Sequence, residues 1–258
     1  MSQILTKIIL SAALFYGTSF CQDPFAPCQP EVVQQLYQML ADVHDFFSTC
    51  KIPYWMESGT LLGAVRHRGL IPWDDDLDLS IFEEDEETLL RFFPILKAIG
   101  YDIVGMHFGY KIYPTDGTVV GQFPWRHPGC DIFIMRTDGK KIFHKYRFGT
   151  EIHSNIEFDI ADFFPLRTYP FGPLVIYGTR NPYPYLEQCY GKDYLTVAYK
   201  DYDHATEKRT EKVTKQLSAH DCKPAMPFEQ LKQQIRLTTQ VKQWPRDFMN
   251  ELFWHLNR

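Results

Sequence analysis

Four aspartates fall within five residues in the run Pro72-Trp73-Asp74-Asp75-Asp76-Leu77-Asp78-Leu79-Ser80-Ile81. From Asp76 onward acid and aliphatic residues alternate, the period of a half-buried strand. That period sets Asp74, Asp76, Asp78 and Ser80 on one face and Leu77, Leu79 and Ile81 on the other, with Asp75 turned elsewhere. Carboxylates gathered in so small a volume raise one another's pKa and resist joint ionisation. A hard divalent cation, Mg²⁺ or Mn²⁺, removes that cost. Because it keeps open positions, it is also the usual partner of a substrate phosphate.

A second group of residues just upstream suits the same chemistry. Ser58-Gly59-Thr60 follows the apolar run Ile52-Pro53-Tyr54-Trp55-Met56, so a strand delivers a small-residue turn whose amides can approach an anion closely. Leu61-Leu62-Gly63-Ala64-Val65 then opens a short helix whose positive end faces that anion. Arg66, His67 and Arg68 add cationic charge one turn later. An anion grip is thus followed directly by metal-binding acids.

Other elements must hold these residues in place. Glu31 to Phe47 carries Val32, Leu36, Leu40, Val43 and Phe47 at helical spacing behind Pro30, and predicts an amphipathic helix behind the acid-bearing sheet. Glu83 to Ile99 opens on five acids, closes at Gly100 and must break or kink at Pro94. The acid run reads as a solvated helix start and not as an extension of the metal site. Between Tyr101 and Phe148, turn signals at Pro114-Thr115-Asp116-Gly117 and Thr137-Asp138-Gly139 separate short apolar segments, which predicts antiparallel strands. Asp131, opening the strand Asp131-Ile132-Phe133-Ile134, either adds a carboxylate to the metal or is an ordinary strand-end acid. Lys111, in Tyr110-Lys111-Ile112-Tyr113, either faces a donor phosphate or is a half-exposed strand lysine. Phe158 to Arg167 returns to the core, Pro173 to Tyr177 forms a strand, and Pro182 to Tyr190 forms a short aromatic helix ended by Gly191. Its aromatics are expected to pack, although a cytosine ring would also suit them.

The segment Gly59-Thr60-Leu61-Leu62-Gly63-Ala64-Val65-Arg66, running into Pro72-Trp73-Asp74-Asp75-Asp76-Leu77-Asp78, resembles the signature of the LicD and fukutin family. These are phosphotransferases of the nucleotidyltransferase superfamily. Cys130-Asp131-Ile132-Phe133, Phe163-Phe164-Pro165-Leu166 and Tyr185-Leu186 to Tyr190-Gly191 extend the likeness over about residues 31 to 200. The resemblance implies an α+β fold, a nucleotidyltransferase-like mixed sheet flanked by helices, in a single catalytic domain. It implies transfer of a phospho-alcohol, such as phosphocholine or ribitol phosphate, from a CDP-linked donor to a glycan or glycolipid hydroxyl, with Mg²⁺ or Mn²⁺. Asp76, Asp78 and Asp131 would be catalytic. Asp74, Asp76, Asp78 and Asp131 would hold the metal, and Ser58, Gly59, Thr60, Arg66 and Lys111 would bind the donor. The cysteine cluster of the zinc-binding members is absent.

At 258 residues, with 45% hydrophobic and 16% aromatic content, the chain can bury a full core. A net charge of -5 and a pI near 6.0 exclude a broad nucleic-acid-binding face. Residues 1–21 carry Lys7, the apolar run Ile8 to Tyr16 and then small residues, which is the form of a cleaved signal peptide; an uncleaved anchor, giving a type II membrane protein, is the alternative. Either places the body in the secretory lumen, Golgi or ER, or outside the cell, and only an anchor would bring it to a membrane. Six dispersed cysteines with no C-x-x-C pair suit lumenal disulfides, and an odd number remains if Cys21 is removed with the leader. Residues 22–200 form the expected catalytic domain. Residues 201–258 form an expected helical extension that docks through Phe248, Leu252, Phe253 and Leu256.

Two other functions share some of these features. A glycosyltransferase with an Asp-x-Asp strand end would bind a nucleotide-sugar through Mn²⁺ but has no need of the Ser58-Gly59-Thr60 turn. A lumenal paralogue that binds nucleotide without turnover would keep every motif. A calcium loop fits poorly, since Leu79 and Asp85 stand where it requires Gly and Glu.

Overall fold

Pro30 fixes the first turn of α1 (Pro30–Cys50), and Lys51, in the left-handed region at φ 57, ends it. The computed structural model describes residues 23–146, 157–204, 207–229 and 232–233. After α1 come β1 (Tyr54–Met56), α2 (Ser58–Arg66), β2 (Leu77–Phe82), a 3-10 turn (Glu83–Asp85), α3 (Glu86–Phe92) and α4 (Pro94–Ala98). The middle of the chain is β-rich: β3 (Tyr101–Met106), β4 (Gly109–Pro114), β5 (Thr118–Val119), β6 (Arg126–His127), β7 (Cys130–Thr137), β8 (Lys141–His144) and β9 (Glu157–Asp159). The remainder is α5 (Ile160–Phe163), β10 (Arg167–Phe171), β11 (Leu174–Gly178), α6 (Tyr183–Tyr190), β12 (Val197–Asp203) and β13 (Lys208–Gln216). The expected break at Pro94 falls between α3 and α4.

The main sheet runs β1-β2-β7-β4-β3, with β8 and β9 continuing beyond β7. β2 and β7 are parallel and the other pairs antiparallel, so the fold is α+β with a mixed sheet. Within residues 101–148 the strands pair antiparallel as expected, and the one parallel partner, β2, comes from before that segment. α1 buries Leu36, Tyr37, Leu40, Val43, Phe46 and Phe47, each worth about 1.5–3 kcal/mol of transfer free energy. Strand β2 was read as half-buried and is instead buried on both faces, Ser80 completely. Its position between β1 and β7, with α2 packed over it, encloses the acidic face as well as the aliphatic one.

Two further expectations change. Residues 208–216 form a strand paired with β12 where a helical extension was expected. Tyr199 opposite Thr214 and Lys200 opposite Val213 are β-favouring cross-strand pairs, and they outweigh the helix-favouring Lys content. Cys28, Cys50, Cys130, Cys189 and Cys222 are all free thiols, so no disulfide forms among the described residues. The proposed leader and the apolar face from Phe248 to Leu256 lie outside the described residues. Among the described residues, no helix is long and apolar enough to cross a membrane.

Candidate active site

The parallel register places Asp78 directly beside Asp131. One carboxylate oxygen from each of Asp76, Asp78 and Asp131 lies within 4.8 Å of the others. These are three hard oxygen donors with no thiolate or imidazole among them, a set that fits Mg²⁺ or Mn²⁺ better than zinc. Burial, followed by the charges of Asp76 and Asp131, raises the Asp78 pKa well above its ordinary value. Burial, then Asp76, pushes Asp74 up to about 7. Burial also raises Asp131, with Lys111 acting against it. In all three, burial is the first cause and a neighbouring carboxylate adds to it, a cost that a bound divalent ion would offset.

The start of α2 is built onto this cluster. The Gly59 N–H donates to Asp78 Oδ2 at 3.0 Å, and the Asp78 N–H donates to Thr60 Oγ1 at 2.8 Å. The Ser58 N–H donates to the Tyr185 hydroxyl at 3.0 Å. Ser58 itself sits at φ 43, in the left-handed region, so the chain turns sharply from β1 into α2. The anion that the corner receives here is therefore the carboxylate of Asp78. A Cβ on Gly59 would stand 2.6 Å from Asp74 Oδ2, which accounts for glycine at that position and brings Asp74 to the rim of the same site. Behind the corner, Glu57 Oε1 lies 3.1 Å from His144 Nε2, both nearly inaccessible to water, and ties the start of α2 to β8.

Lys111 and Arg66 take roles other than those expected. Register pairs Lys111 with Asp131, and Lys111 Nζ contacts Asp131 Oδ1 at 2.6 Å inside the protein. It is a counter-ion of the acid cluster and not a free donor-phosphate cation. Arg66 donates from Nη1 to the carbonyls of Tyr194 at 2.6 Å and Val197 at 3.3 Å, so it fastens the end of α2 to the chain entering β12. Of the α6 aromatics, Tyr185 packs as expected, 4.6 Å from Phe158 ring to ring, whereas Tyr183 at the start of the helix is exposed.

Histidines that no local pattern singles out complete the site. His204 Nδ1 lies 2.7 Å from Asp75 Oδ1 and its Nε2 lies 3.3 Å from Asp76 Oδ2, while His127 Nε2 lies 3.0 Å from Asp75 Oδ2. Burial alone would raise Asp75, but its bonds to the two histidines hold it well below the usual carboxylate range. Burial lowers the His204 pKa, yet Asp76 and Asp75 outweigh it and lift the imidazole to about 10. Asp75, Asp76 and His204 also offer ligand atoms within 4.8 Å of one another. The hairpin β12–β13 that carries His204 is secured over the acid loop by Lys200 Nζ, which donates to the Trp73 carbonyl at 3.1 Å.

Comparison with known proteins agrees with this geometry. The family model described as LicD/FKTN/FKRP, nucleotidyltransferase domain, matches residues 51–181, half of the chain. An uncharacterized protein of Rickettsia typhi is 32% identical over 227 residues, covering 85% of this chain and 66% of that protein. Ribitol 5-phosphate transferase FKRP of Homo sapiens is 59% identical over 34 residues, 13% of this chain and 7% of that enzyme. Lipopolysaccharide cholinephosphotransferase LicD of Haemophilus influenzae is 45% identical over 47 residues, 18% of each chain. The chain thus spans just under two thirds of the first of these relatives and a small part of the two named transferases. With acids from neighbouring parallel strands meeting at a glycine corner, and with the family model matching across both, this chain belongs to the LicD/FKTN/FKRP family.

Proposed function

We propose that this chain is a phosphotransferase that moves a phospho-alcohol, of the class of phosphocholine or ribitol phosphate, from a CDP-linked donor to a glycan hydroxyl. The reaction uses Mg²⁺ or Mn²⁺ and takes place in the secretory pathway. The observation that carries the proposal is the convergence of Asp76, Asp78 and Asp131 beside the Gly59 corner. The names of the transferase relatives support the reaction class.

Asp76, Asp78 and Asp131 would hold the ion, with Asp74 at the rim. When bound, the ion supplies neutralisation of the charge that builds on the pyrophosphate as its P–O bond breaks. The rest of the work falls to the chain itself. Gly59 and Thr60 fix Asp78 from two sides, and Lys111 fixes Asp131, so the carboxylates hold their places before the donor arrives. Holding donor and acceptor at attack distance is worth about 7 kcal/mol or more of barrier. A carboxylate of the cluster receives the acceptor hydroxyl's proton as that oxygen attacks phosphorus, and CMP departs.

The test is a thermal-shift screen of the full chain against CDP-choline, CDP-ribitol, CDP-glycerol and nucleotide-sugars, with and without Mg²⁺. A ligand that binds only the folded state raises its melting temperature by mass action. A metal-dependent shift with one CDP-alcohol, and CMP release that Asp78→Ala abolishes, is the expected result. A shift with nucleotide-sugars alone would reassign the site to sugar transfer, and binding without CMP release would make it a non-catalytic nucleotide site.

A further inference from the structure

A second recess lies further along α2, away from the acid cluster. Ala64 and Val65 form part of its wall, and Arg68, Arg167, Arg180, Tyr169 and Tyr183 line the rest of a cleft of about 340 Å³. Val65 is six residues beyond Gly59, so at 1.5 Å per residue the cleft opens about 9 Å along the helix from the glycine corner. Helix α6 links the two places as well, since Tyr183 lines the cleft and Tyr185 receives the Ser58 amide.

All three arginines are exposed, and among the described residues none is paired with a carboxylate. That distinguishes them from Arg91, Arg136 and Arg209, the arginines that pair with Glu87, Glu83 and Asp201. The nearby Asp162 accepts from the Asn181 side chain at 2.8 Å and not from an arginine. Three unneutralised guanidinium groups around one recess, in a chain of net charge -5, form a local positive field suited to an anion.

The recess is also held in shape. The Arg68 carbonyl accepts the Gly172 N–H at 2.7 Å, the Arg180 N–H donates to the Phe163 carbonyl at 2.9 Å, and Arg167 pairs with Gly178 across the β10–β11 hairpin. Arg167 Nη1 donates to the Arg180 carbonyl at 3.3 Å and its guanidinium lies 5.4 Å from the centre of the Tyr169 ring. Tyr183 is 55% exposed, an aromatic face open at the cleft where a ligand ring could stack. The cleft is concave and its aliphatic lining is limited to Ala64, Val65 and two prolines, whereas membrane contact requires a protruding apolar face.

We propose that this cleft binds an anionic saccharide, a sugar unit bearing phosphate or a comparable negative group, and thereby seats the charged part of the glycan acceptor beside the acid cluster. The arginines take the anion and Tyr183 stacks on the sugar ring. The binding follows from the cleft alone, and only its role as an acceptor seat rests on the phosphotransferase reading.

Calorimetric titration of the full chain, free of divalent metal, with glucose 6-phosphate, glucose, inorganic phosphate and phosphatidylserine vesicles tests the assignment. Glucose 6-phosphate is expected to bind and glucose is not. Arg167→Glu with Arg180→Glu is expected to weaken the sugar phosphate at least about tenfold, since two charge-assisted contacts become repulsive. Tyr183→Ala is expected to reduce the preference for glucose 6-phosphate over inorganic phosphate. Mg²⁺-dependent CMP binding should be unchanged in these variants, which also reports that they fold. Arg180→Gln, expected to weaken binding about threefold or more, replaces the double reversal if that variant does not fold. Undiminished binding in the arginine variants, or retention on vesicles without sugar phosphate binding, would overturn the proposal. Arginine-dependent sugar phosphate binding in a chain that binds no nucleotide would uphold the cleft and remove the phosphotransferase reading instead.

Discussion

Replacing Gly59 by alanine adds one methyl group to the most crowded point of the acid centre. The new Cβ would stand 2.6 Å from Asp74 Oδ2 and 3.3 Å from Asp78 Oδ2, whereas ordinary contact begins at 3.4 Å. Asp74 would have to retreat by about 0.8 Å, since the neighbouring backbone is part of a helix that cannot give way locally. Gly59 is absent from the positive-φ glycines, so backbone strain adds nothing and the effect is one of contact alone. Overpacking of this size costs about 1–3 kcal/mol. At about 2–4 °C per kcal/mol for a chain of this length, the melting temperature should fall by roughly 2–12 °C. Turnover should fall much further, because a displacement near 1 Å in a positioning element can cost about 100-fold. Gly63→Ala is the control: its Cβ would meet the Gly69 carbonyl at 2.6 Å, so it should lose comparable stability and keep Mg²⁺-dependent nucleotide binding. Melting curves and CMP release, measured on both variants, separate the two effects. Full CMP release from Gly59→Ala would refute the claim that this corner sets the carboxylate positions.

Asp78→Asn keeps the side-chain shape and removes one charge from a crowded anionic cluster. It should leave the metal-free melting temperature equal or higher while abolishing the stabilisation by Mg²⁺, and a Mg²⁺ shift of wild-type size would sink the ligand assignment. Lys111→Met strands Asp131 without its buried counter-ion, so the metal-free protein should lose about 3–5 kcal/mol in urea denaturation. Added Mg²⁺ should restore more stability to that variant than to wild type; equal gains would show that Lys111 and the ion do not share Asp131. The buried His67 ring, lowered to about 3 by burial and then by Arg66, stays neutral in the folded protein while the unfolded chain titrates near 6.5. Between those values the unfolded state binds more protons, so stability must fall as pH drops through 6.5. The loss between pH 7 and pH 5 is on the order of 2 kcal/mol. His67→Gln should flatten that limb, and parallel pH profiles for the two proteins would remove His67 as the cause.

What could be read from the residues divides along the distance over which contacts act. The helix at α1 and the break at Pro94 follow from neighbours within a few positions and appear where spacing puts them, while α2 starts at Ser58, three residues before the expected Leu61. Asp131 was recognisable as a strand-end acid, but its place beside Asp78 depends on a parallel pairing of segments some fifty residues apart, which no local period encodes. The same holds for Lys111, whose strand was legible while its register against Asp131 was not, and a slip of one residue would have turned it to the other face. In β13 the Lys and Gln content suggested helix because cross-strand partners in β12 are invisible to composition. The residues matched by the family model end at 181, yet Tyr185, which holds the Ser58 amide, and His204, which bridges Asp75 and Asp76, both come from beyond that point. The acid centre is therefore completed by elements that share no local signature with it. Its charge balance is a property of the whole described chain, because a cation from β4 lies against Asp131 of β7 and the imidazole at the end of β12 lies against Asp76, just before β2.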